Sequence, residues 1–138
     1  MEECIFCKIA ARQIPADVVY EDEKYIAFLD INPAAKGHSL VVPKKHTSDI
    51  HDMEEPELSL FAGVVQRVAR AIKEVTKCDG INIVMNNGRT AGQIIFHAHC
   101  HVVPRFHADG ISFRVPRARY AEGEAAEVAR KVLEATKQ

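Results

Sequence analysis

Histidines alternate with apolar residues at His97, His99 and His101, and this pattern restricts the fold more than any other feature of the chain. Side chains of an extended strand point alternately to its two faces, so the three imidazoles would share one face of a sheet. Because imidazole titrates at about pH 6.5, neighbouring rings can differ in protonation state. One can be neutral and act as a nucleophile or metal ligand, while another is charged beside an anion. The pattern therefore indicates phosphate chemistry or metal binding.

Length and charge narrow the class of protein. The chain has 138 residues, of which 47% are hydrophobic, and these values predict one compact domain with a single core. A formal net charge of −1 gives no reason to expect a nucleic-acid partner or a polybasic membrane surface. No apolar run approaches the roughly 20 residues of a membrane span, and the first residues lack the regions of a signal peptide. We therefore expect a cytoplasmic protein with a small-molecule ligand.

Hydrophobic periodicity predicts a mixture of short strands and two helices. The loops at 30–37 and 86–93 are marked by proline, asparagine and glycine, and the segment 105–120 is irregular and basic. Because several strands follow one another directly, antiparallel pairing is favoured. The strands are predicted at 17–20, 25–29, 38–43, 81–85 and 96–104, and the helices at about 54–77 and 122–137.

The pair Cys4 and Cys7 forms a CxxC motif. In a reducing compartment such a pair is more often half of a metal site than a structural disulfide. Zinc takes about four tetrahedral ligands, so two more are needed, and His46 and His97 are the candidates. Two alternatives stay open, namely a redox-active CxxC and a pair of reduced, small core residues.

A longer pattern surrounds the three histidines. The motif His97-Ala98-His99-Cys100-His101-Val102-Val103 follows Gly92-Gln93 and precedes Pro104-Arg105. It resembles the histidine-triad (HIT) superfamily of nucleotide hydrolases and transferases. The resemblance extends over almost the whole chain, through the segments 4–9, 14–16, 27–33, 36–38 and 41–46.

The resemblance implies a fold and an assembly. It implies an α+β domain with an antiparallel sheet of about five strands, one long helix and a C-terminal helix, and it implies a homodimer. Residues 1–138 would form a single HIT domain with a core of about 1–107 and a variable extension at 108–138.

The resemblance also implies a mechanism. His99 would attack the α-phosphorus of a nucleotide and form a covalent nucleotidyl-histidine intermediate, which water or another acceptor resolves. Attack needs a neutral, oriented ring, so one nitrogen of His99 should donate to a fixed acceptor such as a backbone carbonyl. His38 and His101 would flank the phosphate as cations or neutral donors. Gln93 and the amides of the Gly92 loop would add further donors.

Other matching positions imply a site for the nucleoside. Asp30 would accept hydrogen bonds from the ribose hydroxyls, and Asn86 would lie near the phosphate. The purine base would occupy an apolar slot formed by Ile5, Phe6, Ile9, Phe28 and Ile31. Ordinary roles stay open for these residues, since the apolar ones could simply be core and Asp30 a turn carboxylate.

With Cys4, Cys7, His46 and His97 in these places, the chain resembles the zinc-containing bacterial or archaeal type of HIT protein. Because four protein ligands leave no open position, such a zinc ion would be structural rather than catalytic.

One position departs from the family pattern. Many relatives have Ser or Thr directly after Gly-Gln, where the hydroxyl assists the leaving group, whereas this chain has Ile94. Losing one transition-state donor costs about 3 kcal/mol when nothing replaces it, so we expect slow hydrolysis.

The leading functional expectation is a nucleoside phosphoramidase-like hydrolase that cleaves the bond between a purine nucleoside monophosphate, AMP or GMP, and an amine. The alternative within enzymes is a dinucleoside polyphosphate hydrolase. A different class is a nucleotide-binding or scaffold protein with weak or vestigial catalysis, which the absent hydroxyl at Ile94 favours.

Overall fold

The fold is built on one antiparallel sheet of five strands. The computed structural model describes residues 3–137. The elements are α1 (Ile5–Ala10), β1 (Val18–Glu21), β2 (Tyr25–Leu29), β3 (Ser39–Pro43), α2 (Glu55–Thr76), β4 (Gly80–Val84), β5 (Cys100–Arg105) and α3 (Glu124–Ala135). Neighbouring strands follow the order β1-β2-β3-β5-β4, and every pair is antiparallel, which confirms the predicted α+β class.

Helix α2 covers one face of the sheet. It begins with a proline in its first turn and ends where Lys77 takes a left-handed backbone conformation with φ of 58°. Apolar residues at helical spacing are buried along one side of it, from Phe61 to Ile72. They pack against Tyr25, Ala27, Val41, Ala98, Cys100 and Val102. The helix predicted at 54–77 is confirmed within one residue at each end.

The short helix α1 covers the opposite face. Its buried residues Phe6 and Ile9 pack against Ile26, Phe28, Leu40 and Val42. The sequence did not predict this helix, because six residues are too few for a helical period to show. Cys4 is its N-cap and Cys7 lies in its first turn, so the CxxC pair lies at the start of this helix.

The strand that carries the histidines is shorter than predicted. It begins at Cys100, and the prediction of a strand from residue 96 is wrong because the chain bends at residues 95–97. In the irregular segment, the N–H of Ala98 donates to the carbonyl of Thr47 over 2.7 Å instead of joining the ladder. The alternation nevertheless persists. Ala98 belongs to the core cluster under α2, whereas the rings of His97 and His99 contact Phe6 on the other face.

The C-terminal part of the chain lies outside the core. Residues 112–123 contain no helix or strand, and helix α3 follows as predicted. Every residue of α3 is exposed, including its apolar positions Val128, Val132 and Leu133, so this helix adds nothing to the core of its own chain. Among residues 3–137, none of the helices combines the length and apolar composition that a membrane crossing requires.

Candidate functional site

His99 lies directly before β5, with one ring nitrogen engaged by the backbone. Its Nδ1 lies 2.7 Å from the main-chain oxygen of His97. Because a carbonyl oxygen can only accept, Nδ1 carries the proton and Nε2 keeps a free lone pair. Burial lowers the pKa of His99, so the ring is neutral near pH 7. The orienting hydrogen bond expected from the sequence is therefore present.

His38 and His101 form a second, linked pair of imidazoles. Nε2 of His38 lies 2.9 Å from Nδ1 of His101, and the N–H of Ala34 donates to Nδ1 of His38 over 3.0 Å. Since Nδ1 of His38 accepts from Ala34, the proton of His38 is on Nε2 and is donated to His101. His101 then carries its own proton on Nε2. Its ring centroid lies 5.1 Å from that of His99, so the three imidazoles form one cluster.

Burial keeps this cluster uncharged. Burial, with smaller contributions from the neighbouring rings of His99 and His38, lowers the pKa of His101 to about 4. Burial also lowers the pKa of His38, against the opposing effect of the Asp30 carboxylate. The sequence left open whether His38 and His101 are cations or neutral donors, and the structure of the free protein favours neutral donors.

The four predicted metal ligands meet at a separate point. The ligand atoms of Cys4, Cys7, His46 and His97 all lie within 4.8 Å of one another. The sulfur-to-nitrogen distances are 3.4 Å for Cys4 to His97, 3.3 Å for Cys7 to His46 and 3.5 Å for Cys7 to His97. A tetrahedral ion with Zn–S of about 2.3 Å and Zn–N of about 2.0–2.1 Å has edges of about 3.6 Å, so the cluster has the right size.

The protonation of His97 also fits a metal. Its Nε2 donates to the carbonyl oxygen of Pro43 over 2.7 Å, which leaves the lone pair of Nδ1 facing the two sulfur atoms. This ring is fully buried. Burial, together with the adjacent Cys4, raises the pKa of the Cys7 thiol. A cation would reverse that effect, because zinc binds thiolates. The donor set therefore fits zinc.

A second group of possible ligands does not fit a metal as well. Asp30, His38 and His101 also bring their ligand atoms within 4.8 Å. Here, however, the N–H of Ala34 places the proton of His38 on Nε2, the atom that would have to bind the ion. The two imidazoles share that proton as a hydrogen bond, so this group is a donor pair rather than a metal site.

The predicted base slot divides into a buried and an exposed part. The Phe6 ring lies 5.6 Å from the Phe28 ring and 5.0 Å from the His99 ring, centroid to centroid. Phe6, Phe28 and Ile9 are core residues on the α1 face. Ile31 is 88% exposed and Ile5 is 42% exposed, so these two have apolar area that a ligand could cover.

Asp30 serves partly as a turn residue. One carboxylate oxygen accepts from the N–H of Asn32 over 2.8 Å, and the other lies 3.7 Å from Nε2 of His38. Asp30 is therefore held beside the imidazole cluster by its own loop.

Gln93 has a different role from the expected one. Its Oε1 accepts from the N–H of Gly88 over 2.8 Å, and its Nε2 donates to the carbonyls of Ser48 and Ile95 over 2.6 Å and 3.1 Å. Both amide hydrogens are thus engaged, and the side chain is only 2% exposed. The expectation that Gln93 adds donors for a phosphate is corrected. It ties the loop after β4 to the segment that follows β3.

Gly92 and Asn86 lie together in that loop. The N–H of Gly92 donates to Arg89, so this amide is also used within the turn. A Cβ on Gly92 would lie 3.4 Å from the amide nitrogen of Asn86. Val84, the last residue of β4, pairs with His101 in the sheet, and Asn86 follows two residues later in the chain.

Three positioning groups could not be found from side-chain patterns. They are the N–H of Ala34 and the carbonyls of Pro43 and Thr47. Every residue type offers such groups, so only the bend at residues 95–97 and the loop before His38 reveal them. The sequence marks the positions of these groups only indirectly, through Pro43 at the end of β3 and His46 three residues later.

Comparison with known proteins gives consistent matches. A family model described as the HIT domain matches residues 11–108. The HIT-like protein MJ0866 of Methanocaldococcus jannaschii is 53% identical over 107 residues, which cover 78% of this chain and 82% of that protein. The adenylylsulfatase HINT3 of Arabidopsis thaliana is 37% identical over 107 residues, which cover 78% of this chain and 54% of that protein.

Solved structures match over most of the chain. The crystal structure of SMU.412c from Streptococcus mutans has a TM-score of 0.93 and 41% identity, covering 99% of this chain and 87% of that one. A zinc-bound histidine triad family protein from Mycobacterium smegmatis has a TM-score of 0.77 and 41% identity, covering 98% of each chain. A histidine triad nucleotide-binding protein from Sulfolobus tokodaii has a TM-score of 0.75 and 39% identity, covering 94% and 88%.

Proposed function

This chain belongs to the HIT domain family, and on that premise we propose that it is a nucleotide hydrolase or transferase acting at the α-phosphate of a purine nucleotide. The observation that carries the proposal is the hydrogen bond from Nδ1 of His99 to the main-chain oxygen of His97. It leaves the Nε2 lone pair of a neutral, buried imidazole free, which is what a nucleophile at phosphorus requires.

In the proposed reaction, Nε2 of His99 attacks the α-phosphorus. A P–N bond forms, the bond to the leaving group breaks, and the electron pair departs with that group. Water then attacks the same phosphorus, the P–N bond breaks with its electron pair returning to Nε2 of His99, and the nucleoside monophosphate is released. The proton that water loses balances the proton that the leaving group gains. The Nε2 proton of His101, oriented by the hydrogen bond from His38, is the proposed donor to the phosphate oxygens and the leaving group.

We assign the nucleoside to the neighbouring surface. Asp30 is proposed to accept from the ribose hydroxyls with the oxygen that faces His38. The exposed apolar side chains of Ile5 and Ile31 are proposed to cover the base, in front of the buried residues Phe6, Ile9 and Phe28. Asn86 and Gly92 are the proposed neighbours of the phosphate.

The metal is proposed to be a structural zinc ion held by Cys4, Cys7, His46 and His97. Four protein donors leave no position for water or substrate. The zinc-bound relative from M. smegmatis supports this choice of ion. When bound, the ion supplies the positive charge that keeps both sulfurs as thiolates and ties α1 to the residues around β3 and β5.

The preferred substrate is proposed to be a purine nucleoside phosphoramidate, with AMP or GMP joined to an amine. Dinucleoside polyphosphates are the second candidate. The name of the Arabidopsis relative, adenylylsulfatase, adds adenylyl sulfate as a third. A nucleotide-binding or scaffold role with vestigial catalysis is favoured by Ile94, because an exposed alkyl side chain takes the place of a hydroxyl donor.

The proposal is tested by comparing kcat/KM for adenosine phosphoramidate, a diadenosine polyphosphate and adenylyl sulfate. Acid-quenched samples are digested and searched by mass spectrometry for an adenylyl group on His99. His99→Gly should give neither turnover nor adduct. His51→Asn is the control, because His51 is exposed and pairs with Asp49, away from the imidazole cluster. AMP binding without product or adduct would instead indicate the scaffold role.

We also propose that the protein is a homodimer. Strand β4 lies at the edge of the sheet, and Ile83 on it is 54% exposed. Beside it, a groove of about 480 Å³ is lined mainly by apolar residues of α2 and β4, together with Gln66, Arg70 and Lys73 of α2. A second copy would cover both. Light scattering should give twice the mass of the chain, and Ile83→Lys should give the mass of the monomer.

A further inference from the structure

One peptide group links the metal cluster to His99. The carbonyl between His97 and Ala98 accepts from Nδ1 of His99 over 2.7 Å, and the N–H of the same peptide group donates to the carbonyl of Thr47 over 2.7 Å. The carbonyl of this peptide group belongs to His97, which is one predicted metal ligand. Its hydrogen-bond partner Thr47 directly follows His46, which is another. Any force that holds the two ligands together therefore also fixes the acceptor that orients His99.

A second contact runs through helix α1. Phe6 lies between Cys4 and Cys7 in the sequence, and its ring centroid is 5.9 Å from that of His97 and 5.0 Å from that of His99. The helix has only six residues, and its N-cap makes no side-chain hydrogen bond. Helices this short are unstable alone, so the packing of Phe6 and the attachment of the two thiols decide where α1 lies.

We propose that the metal site and the nucleotide site are thermodynamically coupled, with His97 and Phe6 as the positioning residues that carry the coupling to His99. This inference rests on the proposed nucleotide function. Zinc bound at the Cys and His cluster holds the peptide group of His97 and the ring of Phe6 in the arrangement that nucleotide binding needs. By thermodynamic linkage, nucleotide then tightens zinc by the same factor as zinc tightens nucleotide.

The test measures both halves of this cycle on the full chain. AMP affinity is measured by calorimetry for the zinc-loaded and the chelator-stripped protein. Zinc affinity is measured by equilibrium competition with a chelating dye, with and without saturating AMP. We expect both ratios to agree and to reach about fivefold or more, the lower end of common coupling factors. A long-range ¹H–¹⁵N spectrum of the histidines should show the Nδ1–H tautomer of His99 in the zinc-loaded protein and a mixture after stripping.

Matched variants test whether Phe6 transmits the coupling while the four metal ligands are kept. Phe6→Leu removes the ring that contacts both histidines but leaves all four ligands, so the coupling factor should fall towards one. Ile26→Val alters a buried residue of β2 that belongs to the same core cluster but lies outside the predicted base slot, and it should keep the wild-type factor. The ratio is the readout, so a uniform loss of AMP affinity in Phe6→Leu does not affect the comparison.

The outcomes are distinguishable. If AMP fails to bind the loaded protein, the proposed nucleotide function fails. If AMP binds and zinc affinity does not change, the coupling is overturned while the nucleotide function stands. Far-UV circular dichroism is recorded on the stripped chain. Loss of the sheet signal in the stripped chain would mean that the linkage reflects global unfolding, and this would overturn the proposed route. A wild-type coupling factor in Phe6→Leu would also overturn it.

Discussion

His38 donates its Nε2 proton to Nδ1 of His101 across 2.9 Å, and the main-chain N–H of Ala34 fixes the direction of that bond. The chain of donors runs from the backbone through His38 to His101, whose own proton is left on Nε2. A single backbone amide thus determines which nitrogen of His101 carries a proton.

Replacing His38 should therefore reduce turnover through His101. In His38→Leu, His101 loses its partner and populates both tautomers, and we expect kcat to fall about 10- to 100-fold with a small change in KM. In His38→Gln, the side-chain amide can donate in place of Nε2, and kcat should stay within about fivefold of wild type. Steady-state kinetics with adenosine phosphoramidate provides the measurement. Equal losses in the two variants would contradict the assigned direction of the bond.

Removing one thiol should release the metal and lower stability. We expect one zinc per chain in the wild type by elemental analysis and none in Cys7→Ser. The melting temperature should fall by about 10 °C or more, since a structural zinc contributes several kcal/mol to folding. Cys78→Ala is the control, because Cys78 is buried outside the metal cluster and its loss should leave the zinc content unchanged. A zinc-free wild type with the same melting temperature as Cys7→Ser would refute the metal assignment.

Restoring a hydroxyl at position 94 should assist poor leaving groups. Ile94 is 87% exposed, so Ile94→Ser should not lower the melting temperature. We expect kcat/KM for the phosphoramidate, whose amine must be protonated, to rise by up to about 100-fold, within the range that one transition-state donor can contribute. Adenylyl sulfate, whose leaving group departs as a stable anion, should gain much less. Ile94→Ala controls for the loss of the alkyl group. A gain in the alanine variant as large as in the serine variant would argue against hydrogen bonding as the cause.

Asp109 should make stability depend on pH in the acid range. The Arg105 guanidinium and the N–H groups of Phe106 and Ile111 hold the pKa of this carboxyl well below its usual value. A carboxyl whose pKa is lowered by folding stabilises the protein above its unfolded pKa of about 3.9, and the effect is lost as the pH falls further. Asp109→Asn should therefore melt below wild type at pH 7, and the difference between the two melting temperatures should shrink progressively as the pH falls below about 4 towards the lowered pKa of Asp109.

A surface carboxylate serves as the control for that comparison. Glu127 on α3 pairs with Arg130 while both are exposed, so Glu127→Gln should scarcely change the melting temperature at any pH. A difference between wild type and Asp109→Asn that stays constant from pH 7 to pH 3 would show that the charge of Asp109 is not its cause.

The regular elements were predictable because their residues repeat with a clear period. Helix α2 and strand β2 follow the apolar pattern almost residue for residue. Helix α1 was not predicted because it has only six residues, and because the CxxC pair was interpreted by its chemistry and not as the start of a helix. Residue types alone predicted the group of Cys4, Cys7, His46 and His97, and the structure brings the ligand atoms of these four residues together.

The site was less predictable where main-chain groups orient the side chains. Alternation placed His97, His99 and His101 on one face, which the packing against Phe6 supports for the first two. It did not show that His97 turns to the thiols while the other two join His38. That division depends on the bend at residues 95–97 and on main-chain oxygens, neither of which leaves a pattern in the side chains. The same reasoning explains Gln93, whose amide bonds to main-chain groups of Gly88 in its own loop and of Ser48 after β3.

Burial leaves the imidazoles of His38 and His101 uncharged near neutrality, and the charged group beside His38 is the carboxylate of Asp30, 3.7 Å from its Nε2. Such a surface attracts anions by directed hydrogen bonds rather than by net charge. Affinity for a nucleotide should accordingly vary little with ionic strength, since the interaction is not dominated by long-range attraction that salt screens.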